Sequence, residues 1–171
     1  MSKPKKIVIL RHGIAAEPGT PGYEEDSQRP LTREGVTEMR RIAKAMKVLG
    51  LEFDLILSSP YVRARQTAEI VAEGLGLQKK PQFSAGLRCG ADPRALLQEL
   101  KQKHSEKECV LLVGHEPFLS EFISLLISGN KNCSIDLKKG GLCLLAISSF
   151  EPGESAVLKW LFNPKQLLAG L

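Results

Sequence analysis

Residues 7–13 read Ile7-Val8-Ile9-Leu10-Arg11-His12-Gly13. Four aliphatic residues in succession, with no polar residue alternating between them, are the pattern of a strand buried on both faces. The run stops abruptly at an arginine, a histidine and a glycine. Two further short runs of this kind occur at 54–57 and 109–113. Segments of helical spacing lie between them. Thr32 is placed to cap a helix carrying Val36, Met39, Ile42, Ala43, Met46 and Leu49 on one face. Ser59-Pro60 offers a capping residue followed by proline at the first helical position, ahead of Ala64, Ala68, Val71 and Leu75. Asp92-Pro93 repeats the device before Leu96, Leu97 and Leu100, and Pro117 precedes Phe118, Leu119, Phe122, Ile123 and Leu126. Residues 142–147 and 156–162 read as two last strands joined by a turn around Glu151-Pro152-Gly153. This alternation predicts an α/β fold with a doubly wound, mostly parallel sheet, helices on both faces and an antiparallel edge. No linker interrupts it, so residues 1–171 are expected to form a single domain.

Composition removes several classes of function. The start Lys3-Pro4-Lys5-Lys6 imitates the basic region of a signal peptide, but the apolar run behind it ends after four residues at Arg11-His12. No apolar run approaches the roughly 20 residues that a membrane-spanning helix requires, so a cytoplasmic protein without a membrane partner is expected. The 24 basic residues exceed the 19 acidic ones by five, and aromatics make up only 5%. That is too little for a stacking platform, and no nucleic-acid partner is expected. A modest basic excess does suit a partner that carries phosphate or carboxylate. Cys89, Cys109, Cys133 and Cys143 show neither paired spacing nor a histidine at zinc distance in sequence. Cys109 and Cys143 sit in apolar runs and read as buried small hydrophobes.

Ligands of an open α/β sheet bind beyond the carboxyl ends of its strands, so the residues just past each run are the informative ones. Arg11-His12-Gly13 follows the first, Ser58-Ser59-Pro60 with Arg63 in the next helical turn follows the second, and Gly114-His115-Glu116 follows the third. Each residue alone has an ordinary structural reading. Together, three strand ends deliver two arginines and two of the three histidines, leaving His104 as the ordinary exposed one. Arginine remains ionised and offers a planar fork of donors that fits phosphate oxygens. Histidine can be a nucleophile or a donor at neutral pH. Phosphoryl transfer needs positioning and cationic stabilisation more than covalent machinery. The chain has no HExxH, no paired-aspartate cluster and no GKS/GKT loop, so no metal and no cofactor are expected.

Four segments in this order resemble the histidine phosphatase, or phosphoglycerate mutase-like, superfamily: Leu10-Arg11-His12-Gly13, Leu31-Thr32-Arg33-Glu34-Gly35, Ser58-Ser59-Pro60-Tyr61-Val62-Arg63-Ala64-Arg65-Gln66-Thr67-Ala68 and Val113-Gly114-His115-Glu116. The short length and the segment Asp26-Ser27-Gln28-Arg29-Pro30-Leu31-Thr32 look like the SixA-type phosphohistidine phosphatases. The resemblance implies that His12 is the nucleophile and becomes a transient phosphohistidine. It implies too that Arg11 and Arg63 grip the phosphate, that His115 donates to the same oxygens, and that Gly13 sets the tautomer of His12. Many members supply a proton donor from a loop that here reads Ala85-Gly86-Leu87-Arg88-Cys89-Gly90-Ala91, without a carboxylate. Glu116 is then the candidate acid; equally, it is a negative charge that favours a helix start. Arg29 and Arg88 could line the pocket rim as substrate contacts or be ordinary surface arginines, the second weighing more. Lys138-Lys139-Gly140-Gly141 reads as a solvated turn. The expected partner is a protein bearing phosphohistidine in signal transduction. The alternatives are a small phosphate ester and, for a non-enzyme, a phosphate- or phosphopeptide-binding module.

Overall fold

The computed structural model describes residues 4–153 and 156–170. Lys3 of the basic start and the two residues after Gly153 in the expected turn therefore lie outside the described residues. Six strands form one sheet in the order β3-β2-β4-β1-β5-β6. They are β1 (Lys5–Arg11), β2 (Leu55–Ser58), β3 (Gln82–Phe83), β4 (Cys109–Gly114), β5 (Leu142–Ile147) and β6 (Ala156–Phe162). The first four run parallel, while β5 and β6 add antiparallel strands at one side.

The uninterrupted aliphatic runs have the cause expected of them, since each strand buries alternate residues against opposite layers. Ile7 and Ile9 pack with α3 (Pro93–Lys103) and α4 (Phe118–Ser128) on one face. Val8 and Leu10 pack with α1 (Arg33–Val48) and α2 (Val62–Leu75) on the other. The layering follows from crossover handedness. The connections from β1 to β2 and from β2 to β3 move one way along the sheet and carry α1 and α2, whereas β3 to β4 moves back and carries α3 on the opposite face. A last short helix, α5 (Pro164–Leu167), follows β6.

Local signals were of uneven value. Thr32 caps α1, its hydroxyl accepting from Gly35 N at 3.0 Å, and Asp92 caps α3 by accepting from Arg94 N. Ser59-Pro60 does not start α2. The helix begins at Val62, because Ser59 stays in the sheet ladder through its N–H to Val113 O at 2.9 Å. β2 lies one residue later than expected, and the Asp54 carboxylate instead accepts from the N–H groups of Glu108 and Cys109 at the start of β4. The two-residue β3 carries no apolar run and had no sequence signal. Cys143 is buried as expected, but Cys109, the first residue of β4, is only half-buried. His104 is half-buried at the C-terminus of α3 rather than free in solvent. Among the described residues no helix is long and apolar enough to cross a membrane.

Candidate active site

Strand register brings the site together. Arg11 lies opposite Gly114 and Ser58 opposite Val113, and the ladder runs one step further through His12 N to Gly114 O at 3.1 Å and Ser59 N to Val113 O. His12, Ser59 and His115 therefore leave three adjacent parallel strands at the same edge. Because α1 departs from β1 on one face and α4 from β4 on the other, the chain parts around this point. Such a switch point opens a crevice in a parallel sheet.

The tautomer of His12 can be read from its two neighbours. Its Nδ1 is 2.7 Å from Gly13 O, which can only accept, so Nδ1 carries the proton. Its Nε2 receives the Nε–H of Arg63 at 3.2 Å and so holds a lone pair. Burial is the main cause that lowers the His12 pKa to about 3. The Gly13 carbonyl opposes that shift, and the charges of His115, Arg63 and Arg11 add to it. The ring is thus neutral with a free electron pair on the nitrogen that faces Arg63. Gly13 is locked in turn, since its N–H donates to Thr67 Oγ1 at 3.1 Å and the same hydroxyl donates to Arg63 O. A Cβ on Gly13 would lie 2.7 Å from Met39 Cγ.

His115 lies with its ring centroid 5.1 Å from that of His12, and its Nε2 is 2.8 Å from Ser59 Oγ. Burial, followed by the Arg63 charge, lowers its pKa to about 3 as well. Arg63 is 3% exposed and Arg11 half-buried, and desolvation lowers the Arg11 pKa against the opposing charges of Glu116 and Asp136. Among the described residues two buried side-chain polar atoms lack a hydrogen-bond partner, Arg11 Nε and His115 Nδ1, and both are here. Buried polar groups are ordinarily satisfied, so the Arg11 Nε–H is a donor left for an acceptor, while the role of His115 Nδ1 follows from which way the Ser59 hydroxyl points.

The remaining expected residues divide. Glu116 does not project as a free acid. Both its carboxylate oxygens are taken by Ser120, from the backbone N–H at 3.1 Å and from the hydroxyl, in the first turn of α4. Burial is the main cause that raises its pKa. Arg29 is no ordinary surface arginine, because its Nε and Nη2 hold Asp26 Oδ1 and its Nη1 holds Ala16 O. Arg88 is exposed, one residue before Cys89, whose Sγ is 3.6 Å from Arg63 Nη2.

The turn at Lys138-Lys139-Gly140-Gly141 is not solvated throughout. Gly140 and Gly141 are buried, Gly140 N reaches the carbonyls of Arg11 and His12, and Arg11 N reaches Gly141 O. Just before it, Leu137 O accepts from Arg11 Nη1 at 3.0 Å. Asp26 accepts from Arg63, Ser59 meets His115, Thr67 holds Gly13 N, and Asn163 brackets Leu137 through Lys138 N and Asp136 O; none of the four was singled out in the sequence as a site residue. Their single signal was membership of the quoted segments, and Asn163 had none.

A family model described as histidine phosphatase superfamily (branch 1) matches residues 7–88. An uncharacterized protein of Picosynechococcus is 39% identical over 80% of this chain and 82% of its own. Phosphohistidine phosphatase SixA of Escherichia coli is 31% identical over 72% of this chain and 75% of its own. The solved structure of the protein histidine phosphatase SixA complexed with tungstate superposes with a TM-score of 0.80 at 26% identity, covering 95% of this chain and 99% of that one.

Proposed function

The chain belongs to the histidine phosphatase superfamily and is a phosphatase, and on that premise we propose that it acts through a covalent phosphohistidine at His12, with phosphohistidine on a partner protein as its substrate. The observation that carries the reading is the pair of hydrogen bonds on His12: Nδ1–H is spent on Gly13 O, and the Nε2 lone pair points at the Arg63 guanidinium. In the proposed first step, Nε2 attacks phosphorus and the bond from phosphorus to the leaving nitrogen breaks. The electron pair leaves with that nitrogen, which takes a proton from solvent. Arg11, Arg63 and His115 stabilise the charge on the equatorial oxygens. Water then attacks phosphorus, the Nε2–P bond breaks with its electron pair returning to Nε2, the water's protons leave with inorganic phosphate and solvent, and neutral His12 is restored.

Two features support an imidazole as the leaving group. Residues 85–91 contain no carboxylate, and Glu116 is engaged by Ser120. Asp26 stays ionised, since hydrogen bonds from Arg29 and Arg63 and their charges outweigh the opposing effect of burial. An alkoxide needs a strong proton donor to leave; an imidazole needs far less. The Escherichia coli relative is itself named a phosphohistidine phosphatase. Arg29 supports the site as a strut, and exposed Arg88 is placed to meet an acidic or phosphorylated partner.

The test compares hydrolysis of a phosphohistidine-bearing protein with a panel of sugar phosphates, with EDTA present throughout. Faster turnover of the phosphoprotein is expected, with radiolabel trapped on wild type and absent from folded His12→Ala. Faster turnover of any sugar phosphate would move the assignment to small phosphate esters. An active His12→Ala would remove the nucleophile assignment, and a wild type that binds without turnover would make the chain a binding module.

A further inference from the structure

We propose that Asp26 is a positioning residue that fixes which edge of the Arg63 guanidinium faces His12. The inference rests on the reading of His12 and Arg63 given above and assigns a further residue to that site. Arginine carries five N–H donors in a rigid plane, so which pair faces a ligand is set by what holds the others. Arg63 spends its Nε–H on His12 Nε2. One donor from each terminal nitrogen goes to a single residue, Nη1 to Asp26 O at 2.6 Å and Nη2 to Asp26 Oδ2 at 2.9 Å. Backbone and side chain of Asp26 thus clamp the far end of the fork, and the Nε side is left against the nucleophile.

The clamp is itself braced. Asp26 Oδ1 is held by Arg29 Nε at 2.9 Å and by Arg29 Nη2, while Arg29 Nη1 is anchored on Ala16 O. A carboxylate held on both oxygens cannot rotate away from Arg63. The Asp26 side chain is half-exposed while Arg63 is buried, so the brace is applied from outside the pocket by the short helical turn at Asp26–Gln28. That turn belongs to the loop leading into α1, so the orientation of Arg63 depends on how this loop is held by Arg29 and Ala16.

Charge alone predicts the opposite effect of removing Asp26. Deleting a carboxylate beside Arg63 and Arg29 would leave the site more positive and would tighten anion binding. Loss of positioning would instead weaken the contacts that matter in the transition state. Asp26→Ala and Asp26→Asn are therefore compared with wild type for tungstate affinity, for kcat and KM on a phosphohistidine protein, and for the Arg63 Nε–H resonance by NMR. Asp26→Ala is expected to lose kcat on the order of 10- to 100-fold, to bind tungstate more weakly, and to lose the slow-exchanging Arg63 Nε–H signal. Asp26→Asn keeps one side-chain acceptor and should fall between. Unchanged or tighter tungstate binding with an intact Nε–H signal would overturn the proposal, leaving Asp26 as a counter-charge. Binding and resonance do not require turnover, so failure of the catalytic reading would appear separately, as an inactive wild type.

Discussion

Arg63 Nε and His12 Nε2 lie 3.2 Å apart, and Arg63 O accepts from the Thr67 hydroxyl that holds Gly13 N. One arginine thus orients the nucleophile from the side-chain end while its own turn of helix fixes the next residue. Both ends of that device come from α2, and both of its targets come from the strand end of β1.

Replacing Arg63 by lysine keeps the positive charge and loses the planar fork. Arg63→Lys should cost on the order of 10²- to 10³-fold in kcat, as for loss of an electrostatic donor. Steady-state kinetics on the purified variant check this, and retention of more than half the activity would show that charge alone suffices.

Both imidazoles are held neutral, with pKa values of about 3 in the folded chain against about 6.5 unfolded. Below 6.5 the unfolded chain binds more protons than the folded one, so stability rises with pH through the window from 3 to 6.5 and is complete above it. Denaturant melts between pH 4 and 8 should show stability falling as the pH drops below 6.5. In His12→Asn and His115→Asn this dependence should shrink.

Gly35 lies in the first turn of α1, and a Cβ there would come within 2.1 Å of Ile14 O. Backbone cannot yield as a side chain can. Gly35→Ala should therefore destabilise the fold by about 3 kcal/mol or more, read as the shift of a denaturation midpoint. Gly13→Ala meets the flexible Met39 side chain instead. It should cost less stability and more activity.

Asn163 closes both ends of the segment that receives Arg11. Its Oδ1 accepts from Lys138 N at 2.8 Å and its Nδ2 donates to Asp136 O at 3.1 Å, bracketing Leu137 O. Asn163→Ala should lose about 1–2 kcal/mol of stability and raise KM for oxyanions. An unchanged KM would show that the Leu137 carbonyl is held without it.

The parallel sheet was legible because hydrophobic continuity is a local property. Runs such as 109–113, with β-branched and aliphatic residues and no alternation, are read directly. The α1 and α3 starts were legible for the same reason, as Thr32 and Asp92 satisfy N–H groups within three residues of themselves. Ser59 failed as a cap because its N–H stays in the ladder with Val113 O and its hydroxyl, shared between Tyr61 N and His115 Nε2, lies three residues ahead of the first helical residue, Val62. The Glu116 carboxylate turns along the helix to Ser120, a partner that the segment 113–116 does not contain.

By itself the order of residues determined where charge leaves the strands. Arg11, His12 and His115 must emerge at a sheet edge wherever the strands pair, since chain connectivity places each of them one or two residues past a buried run. Only the tertiary structure decided what each group does there. Sheet order set His12 and His115 side by side across 103 residues of chain, and Asp26 found Arg63 from a loop that carries no hydrophobic signal. Hydrogen bonds between polar groups distant in sequence are fixed by packing of the elements that bear them, and a local pattern cannot encode a partner that it does not contain.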